Sequence, residues 1–254
     1  MSLAGTAAVI IAAVLIGTVL QRLSGTGVGL VVAPVLSLLL GPAVGVLITN
    51  MTTVVSGFLI MLSVWAHISW RRFWLIIPAA VIGAWPGAWL VGVLSAAWLS
   101  IILGLIVVAA LLVTVSLRRL PQWTSRTPAV IAGLLGGFFN TTSGVAAPVM
   151  VIHSRLSRWE QRSFAATLQP IFMTMGAASV ISKLTLGSVD LDAGAALPLG
   201  WLFAAIVTTV LLGILLGTLL AKRVPLQAAR TLAMVLAGLG GCAAIVRGVV
   251  ELIA

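Results

Sequence analysis

The chain is poor in charge, poorer still in acids, and has one cysteine. Only 7% of its 254 residues are Asp, Glu, Lys or Arg, against 61% hydrophobic, and the mean hydropathy is +1.27. A soluble domain carries about 25% charged residues. No soluble fold could cover this much apolar surface, so the sequence is that of an all-α polytopic membrane protein. The lone Cys242 excludes an intrachain disulfide and a multi-cysteine metal site. The four acids, Glu160, Asp190, Asp192 and Glu251, fall in loops or at the chain end. No carboxylate is predicted at membrane depth, which argues against a carboxylate proton relay. There is no H-E-x-x-H, no P-loop, and no G-x-S-x-G elbow around Ser143. No enzymatic chemistry, no metal and no cofactor are therefore expected. The N-terminus lacks the basic stretch of a signal peptide and reads as a membrane segment.

What is present is basic. Fourteen Lys and Arg give a formal charge of +10. They cluster in short loops, as the positive-inside rule requires of a cytoplasmic face. Nucleic acid is therefore not an expected partner; the lipid bilayer is. A helix spans a membrane with about 20 residues, so about eight apolar segments fit. Residues 3–20 and 28–40 form a broken pair, and 43–66, 74–94 and 97–117 read as plain spans. After a basic loop comes 129–153, interrupted by NTTSG at 140–144, then 163–183, 194–221 and 227–250. Trp65, Trp70, Trp74, Trp98, Trp123 and Trp159 fall at predicted span ends, where an aromatic belt belongs.

The halves look like copies. VAPVL at 32–36 matches AAPVM at 146–150, and GAWPGAWL at 83–90 matches GILLGTLL at 213–220. The latter pair shares the Gly-x-x-x-Gly spacing that lets helices approach closely. Equivalent loops swap charge. The loop near Pro42 is neutral where its counterpart holds Arg155, Arg158 and Arg162. Arg71 and Arg72 face Asp190 and Asp192; the neutral loop at Ser95 faces Lys222 and Arg223. Equivalent loops on opposite sides of the membrane are the mark of inverted-topology repeats. The expected organisation is a first repeat at 1–117, a cytoplasmic linker at 118–128 and a second repeat at 129–254. Each broken first segment would be a hairpin or a helix with a re-entrant piece, and both termini would lie outside.

The two breaks are the candidate site. Unwound backbone at membrane depth survives only inside protein or beside a water-filled cavity. Half-helix N-termini there can point N–H groups at an anion. The first break runs over Gln21, Arg22, Gly25, Gly27 and Gly29, and the second over Asn140, Thr141, Thr142, Ser143 and Gly144. The same glycines could serve helix packing alone. Asn50 and Gln169 are the other amides at depth; each faces either a neighbouring helix or a polar ligand. Arg22 either neutralises an anion or snorkels to an interface. His153, at the end of a span, is read first as an interfacial residue.

These residues resemble the sulfite exporter TauE/SafE family. Gln21, Gly25 and Gly27 are similar to its first break, GTGVGLVVAP to its Gly-rich stretch before a proline, and Gly133, Gly137, Asn140, Gly144 and Pro148 to its second-half pattern. Arg162 and Ala166-Thr167-Leu168 resemble its next span start. Ala146-Ala147 stand where many members have a glycine. The resemblance implies a secondary transporter in the bacterial inner membrane, built of two inverted repeats. Its expected substrate is a small, sulfur-containing anion such as sulfite, sulfoacetate or another organosulfonate, and its expected direction is export. A homodimer is compatible with the reading. The residues themselves leave open a non-transporting assembly factor or an intramembrane enzyme.

Overall fold

The computed structural model describes residues 3–25, 28–116, 122, 123, 125–189 and 199–253. Gly27, Asp190 and Asp192, which the sequence reading used, lie outside them, as do residues 118–121 and 124 of the expected linker. Ten α-helices are described: α1 (Leu3–Ser24), α2 (Val28–Leu40), α3 (Pro42–Val64), α4 (Trp70–Val93), α5 (Ala96–Ser116), α6 (Thr127–Ser143), α7 (Ala147–Leu156), α8 (Gln161–Thr185), α9 (Leu199–Leu220) and α10 (Leu226–Ile253). Seven are long and apolar enough to cross a membrane: α1, α3, α4, α5, α8, α9 and α10. Helices α2, α6 and α7 are shorter. The protein is an all-helical, polytopic membrane protein, and the described residues contain no strand.

Local chemistry sets the helix boundaries. Pro42, Pro128 and Pro148 sit in the first turns of α3, α6 and α7, where a missing N–H costs nothing. Glu160 caps α8, its carboxylate accepting from the N–H groups of Arg162 and Ser163 at 2.8 and 2.7 Å. The two breaks close in the same way. Gly25 (φ 81°) donates its N–H to the Gln21 carbonyl at 2.8 Å, and Gly144 (φ 74°) donates to the Asn140 carbonyl at 2.9 Å. Both are left-handed glycine caps.

The breaks are therefore shorter than the sequence indicates. Gln21, Arg22 and Asn140 to Ser143 lie on the last turns of helices and not in unwound chain. Hydroxyls that bond the carbonyl one turn back explain how these polar turns stay helical in an apolar setting. Ser24 bonds the carbonyl of Leu20 at 2.7 Å, Thr142 that of Phe138 at 3.0 Å and Ser143 that of Phe139 at 2.7 Å.

Glycine notches align the helices around the breaks. Helices α4 and α6 run parallel. A Cβ on Gly133 would strike the carbonyl of Ile76, one on Gly137 that of Ala80, and one on Gly83 that of Leu134. Helices α1 and α9 also run parallel: a Cβ on Gly213 would come within 2.8 Å of Thr18 and one on Gly217 within 2.8 Å of Arg22. Each Gly-x-x-x-Gly motif thus seats a helix that leads into a break, Gly83 and Gly87 seating α6 and Gly213 and Gly217 seating α1.

The basic loops gather at one end. Arg72 donates to Ser157 at 3.3 Å and lies 4.5 Å from the centre of the Trp159 ring, while Trp123 donates its N–H to the Leu156 carbonyl at 2.9 Å. Both limbs of the α6–α7 hairpin therefore reach this end. Helix α2 leaves its break the other way. Its last carbonyls, Ser37 and Leu38, accept from Arg247 near the far end of α10.

Candidate functional site

The two breaks meet. The N-terminal residues of α2 and α7 face each other so closely that a Cβ on Gly29 would overlap the Gly144 carbonyl. Between them lies a cavity of about 20 Å³, lined by Gln21, Gly29, Thr53, Asn140, Gly144 and Phe172 among others. That is about the room one water needs. A helix N-terminus carries N–H groups without intrahelical acceptors and roughly half a positive charge. Two such ends beside one cavity make it suited to an anion.

Two amide pairs close the cavity walls. Gln21 Nε2 donates to Gln169 Oε1 at 3.0 Å, and Ser56 Oγ donates to Gln21 Oε1 at 2.8 Å. Gln169 Nε2 reaches the carbonyls of Gly25 and Ala165, both at 3.2 Å. Asn140 Nδ2 donates to Asn50 Oδ1 at 2.9 Å; Asn50 Nδ2 donates to Ser179 Oγ at 2.8 Å and to the Asn140 carbonyl at 3.2 Å. All four amide side chains are buried. Gln21 is thus tied to both α3 and α8, and Asn140 to α3 directly and to α8 through Asn50.

The family comparison agrees with this architecture. A family model described as sulfite exporter TauE/SafE matches residues 9–245. The chain belongs to the TauE/SafE family. It is 29% identical over 169 residues to the probable inner membrane transporter protein TsaS of Comamonas testosteroni, covering 65% of this chain and 67% of that protein. No solved structure matches. This TauE/SafE protein is accordingly a multi-pass membrane transporter of the inner membrane and not an enzyme.

Beside the central cavity this TauE/SafE protein has a larger vestibule of about 320 Å³. Leu30 and Ala147 belong to the walls of both. The vestibule also carries Arg155, Gln161, Gln227 and Arg230, from the basic end of the molecule.

The sequence-derived site residues divide. Gln21, Gly29, Asn140 and Gly144 line the central cavity, and Asn50 and Gln169 stand one hydrogen bond behind it. Gly25 caps α1 and offers its carbonyl to Gln169. Arg22 is elsewhere: it is about 100° round the helix from Gln21, donating to Thr218 at 3.0 Å and Ser63 at 3.3 Å. Thr141 packs on Gly87 of α4, and Thr142 and Ser143 bond their own helix. Gly27 lies outside the described residues.

Sequence reasoning missed Thr53, Ser56, Phe172 and Ser179. Asn50, Thr53, Ser56 and Gly57 recur at helical spacing on α3, which was the available signal for two of them. It also missed Lys183, which is fully buried on α8 with no hydrogen-bond partner for Nζ among the described residues.

Proposed function

We propose that this transporter exports a small, sulfur-containing anion such as sulfite, sulfoacetate or another organosulfonate. The reading adds that two inverted halves, 1–117 and 129–254, move about the central cavity. The observation that carries it is the meeting of the two helix N-termini beside Gln21 and Asn140. Three further features support two related halves: the matching Gly25 and Gly144 caps, the exchange of glycine-seated helices, and the basic loops at one end. Under the positive-inside rule that end faces the cytoplasm. An inside-negative potential then drives anions outward by about 2.3 kcal/mol per charge per 100 mV.

A cavity the size of one water cannot hold a polyatomic anion. Binding requires the Gln21–Gln169 and Asn50–Asn140 pairs to part, so that their donors turn from each other to the ligand. Exchanging internal partners for ligand partners keeps every buried amide satisfied in both states. Export of sulfite and sulfoacetate from loaded proteoliposomes tests the reading. Wild type should release one or both well above empty vesicles, and Asn140→Leu should not. Equal release from protein-free vesicles and wild type would refute it.

A further inference from the structure

The central cavity is small, the vestibule at the basic end is much larger, and the lining of the vestibule has a consistent chemistry. Arg155 and Arg230 are part of its wall, Gln161 and Gln227 stand with them, and no Asp or Glu is among its described lining residues. Two helix N-termini open on it. Ala147 and Pro148 begin α7 on the inner wall, and Gln227 and Arg230 belong to the first two turns of α10. Glu160, next to Gln161 in the chain, is turned to the first N–H groups of α8 and is not in the lining. Leu30, Phe164 and Leu168 form an apolar floor. Six helices contribute, so the space is built into the tertiary fold.

We propose that this vestibule is a distinct binding site for a soluble oxyanion, sulfonate or sulfite in type, which docks between Arg155 and Arg230 before the central cavity opens. The statement about sequence of events rests on the transport reading; the site itself does not. The size difference decides where the ligand sits in this conformation, since 320 Å³ admits a hydrated organosulfonate and 20 Å³ does not. Two guanidinium groups and two helix N-termini supply positive potential to this space. Leu30 and Ala147, shared by both spaces, form the partition that a docked anion must pass.

The same oxyanion chemistry could come from a lipid phosphate, and the test separates the two. Purified protein in uncharged detergent is titrated with sulfoacetate and with sulfite, and the dissociation constant is read by calorimetry at fixed ionic strength. The wild type should bind at least one of them. An Arg155→Gln, Arg230→Gln double variant should weaken binding tenfold or more, while the paired Arg→Lys variant, which keeps the charge, should retain part of it. Arg223→Gln, which removes an exposed charge outside both spaces, should change the constant less than twofold. Wild-type-like binding by the double Gln variant would overturn the proposal, as would failure of the wild type to bind either anion. In nanodiscs, phosphatidylglycerol should compete no better than phosphatidylcholine. Displacement of the free anion by phosphatidylglycerol would assign the vestibule to a lipid headgroup and overturn it too. Intact, arginine-dependent binding with no flux in proteoliposomes would strike the export reading and leave the vestibule site standing.

Discussion

Asn50 and Asn140 are bonded to each other twice. The Asn140 side chain donates to the Asn50 side-chain oxygen at 2.9 Å, and the Asn50 side chain donates to the Asn140 backbone carbonyl at 3.2 Å. These are the chain's only asparagines. One is on an unbroken crossing helix and the other on the last turn before a break. The carbonyl that Asn50 reaches is also the one that closes the Gly144 cap. The pair thus fixes where α6 ends.

Replacing either asparagine by leucine leaves the other amide buried with unmet bonds, which costs about 1–3 kcal/mol. Asn50→Leu and Asn140→Leu should each lower thermal stability by that order. The double variant should lose clearly less than the sum of the two, because the shared interaction is removed once. A double-mutant cycle read by thermal unfolding in detergent checks this. Strict additivity would show that the two residues act separately. All three variants should be defective in anion efflux.

Gly29 is required by contact and Gly41 by conformation alone. A methyl on Gly29 overlaps the Gly144 carbonyl, whereas Gly41, at φ 85°, has nothing within 4 Å of its Cβ position. Gly29→Ala should push the breaks apart and abolish both monodisperse folded protein and flux. Gly41→Ala should cost only backbone strain, about 1–3 kcal/mol for a side chain at φ 85°, ψ 156°, with flux retained. Size-exclusion profiles and efflux rates of the two variants side by side decide the point. Equal tolerance would mean that the breaks are not in contact in the membrane.

How far the sequence led can be read from particular residues. Composition and loop charge were enough for the helical membrane class, because hydrocarbon leaves the backbone few choices. The break glycines were legible, since Gly25 and Gly144 adopt the positive φ that disfavours a side chain. The extent of unwinding was not. It depends on whether hydroxyls such as Ser143 bond their own helix, and composition does not reveal that. Arg22, a cation flanked closely by two apolar segments, could be read from sequence either as an anion ligand or as a snorkelling residue. A step of one residue on a helix turns the side chain to another face, here towards Thr218. Ser179 and Lys183 sit in an otherwise ordinary span; only the packing of α3 on α8 shows what they face.

Lys183 is fully buried, with no partner for its Nζ among the described residues, one helical turn beyond Ser179. Burying an ammonium without a partner is unfavourable, and a lysine within a span costs up to about 2.5–3.5 kcal/mol. Lys183→Met keeps the length of the side chain and removes the charge. It should therefore raise thermal stability, by about 1–3 kcal/mol given the position near the helix end. The same variant should slow anion efflux if the lysine is retained to meet an anion. A lower melting temperature would show that Lys183 finds a stabilising partner in the membrane.

Glu160 offers a pH-dependent test outside the spans. Its carboxylate accepts from the N–H groups of Ser163 and Arg162 at the start of α8, and these bonds, with the Ser163 contribution the larger, hold its pKa below the usual value. A depressed carboxylate pKa stabilises the folded state above the unfolded pKa, about 4.3 for Glu. That stabilisation is lost as pH falls through the lower folded pKa. Glu160→Gln cannot ionise and caps more weakly. At pH 7 it should melt about 2–4 °C below wild type. Below about pH 4 the gap should shrink, because the wild-type cap becomes protonated while the variant does not change. Melting curves of both proteins at pH 7, 5 and 3.5 provide the measurement. A constant gap over that range would mean that the charge of Glu160, as distinct from its shape, contributes nothing to the start of α8, the helix that carries both Gln169 and Ser179 to the centre.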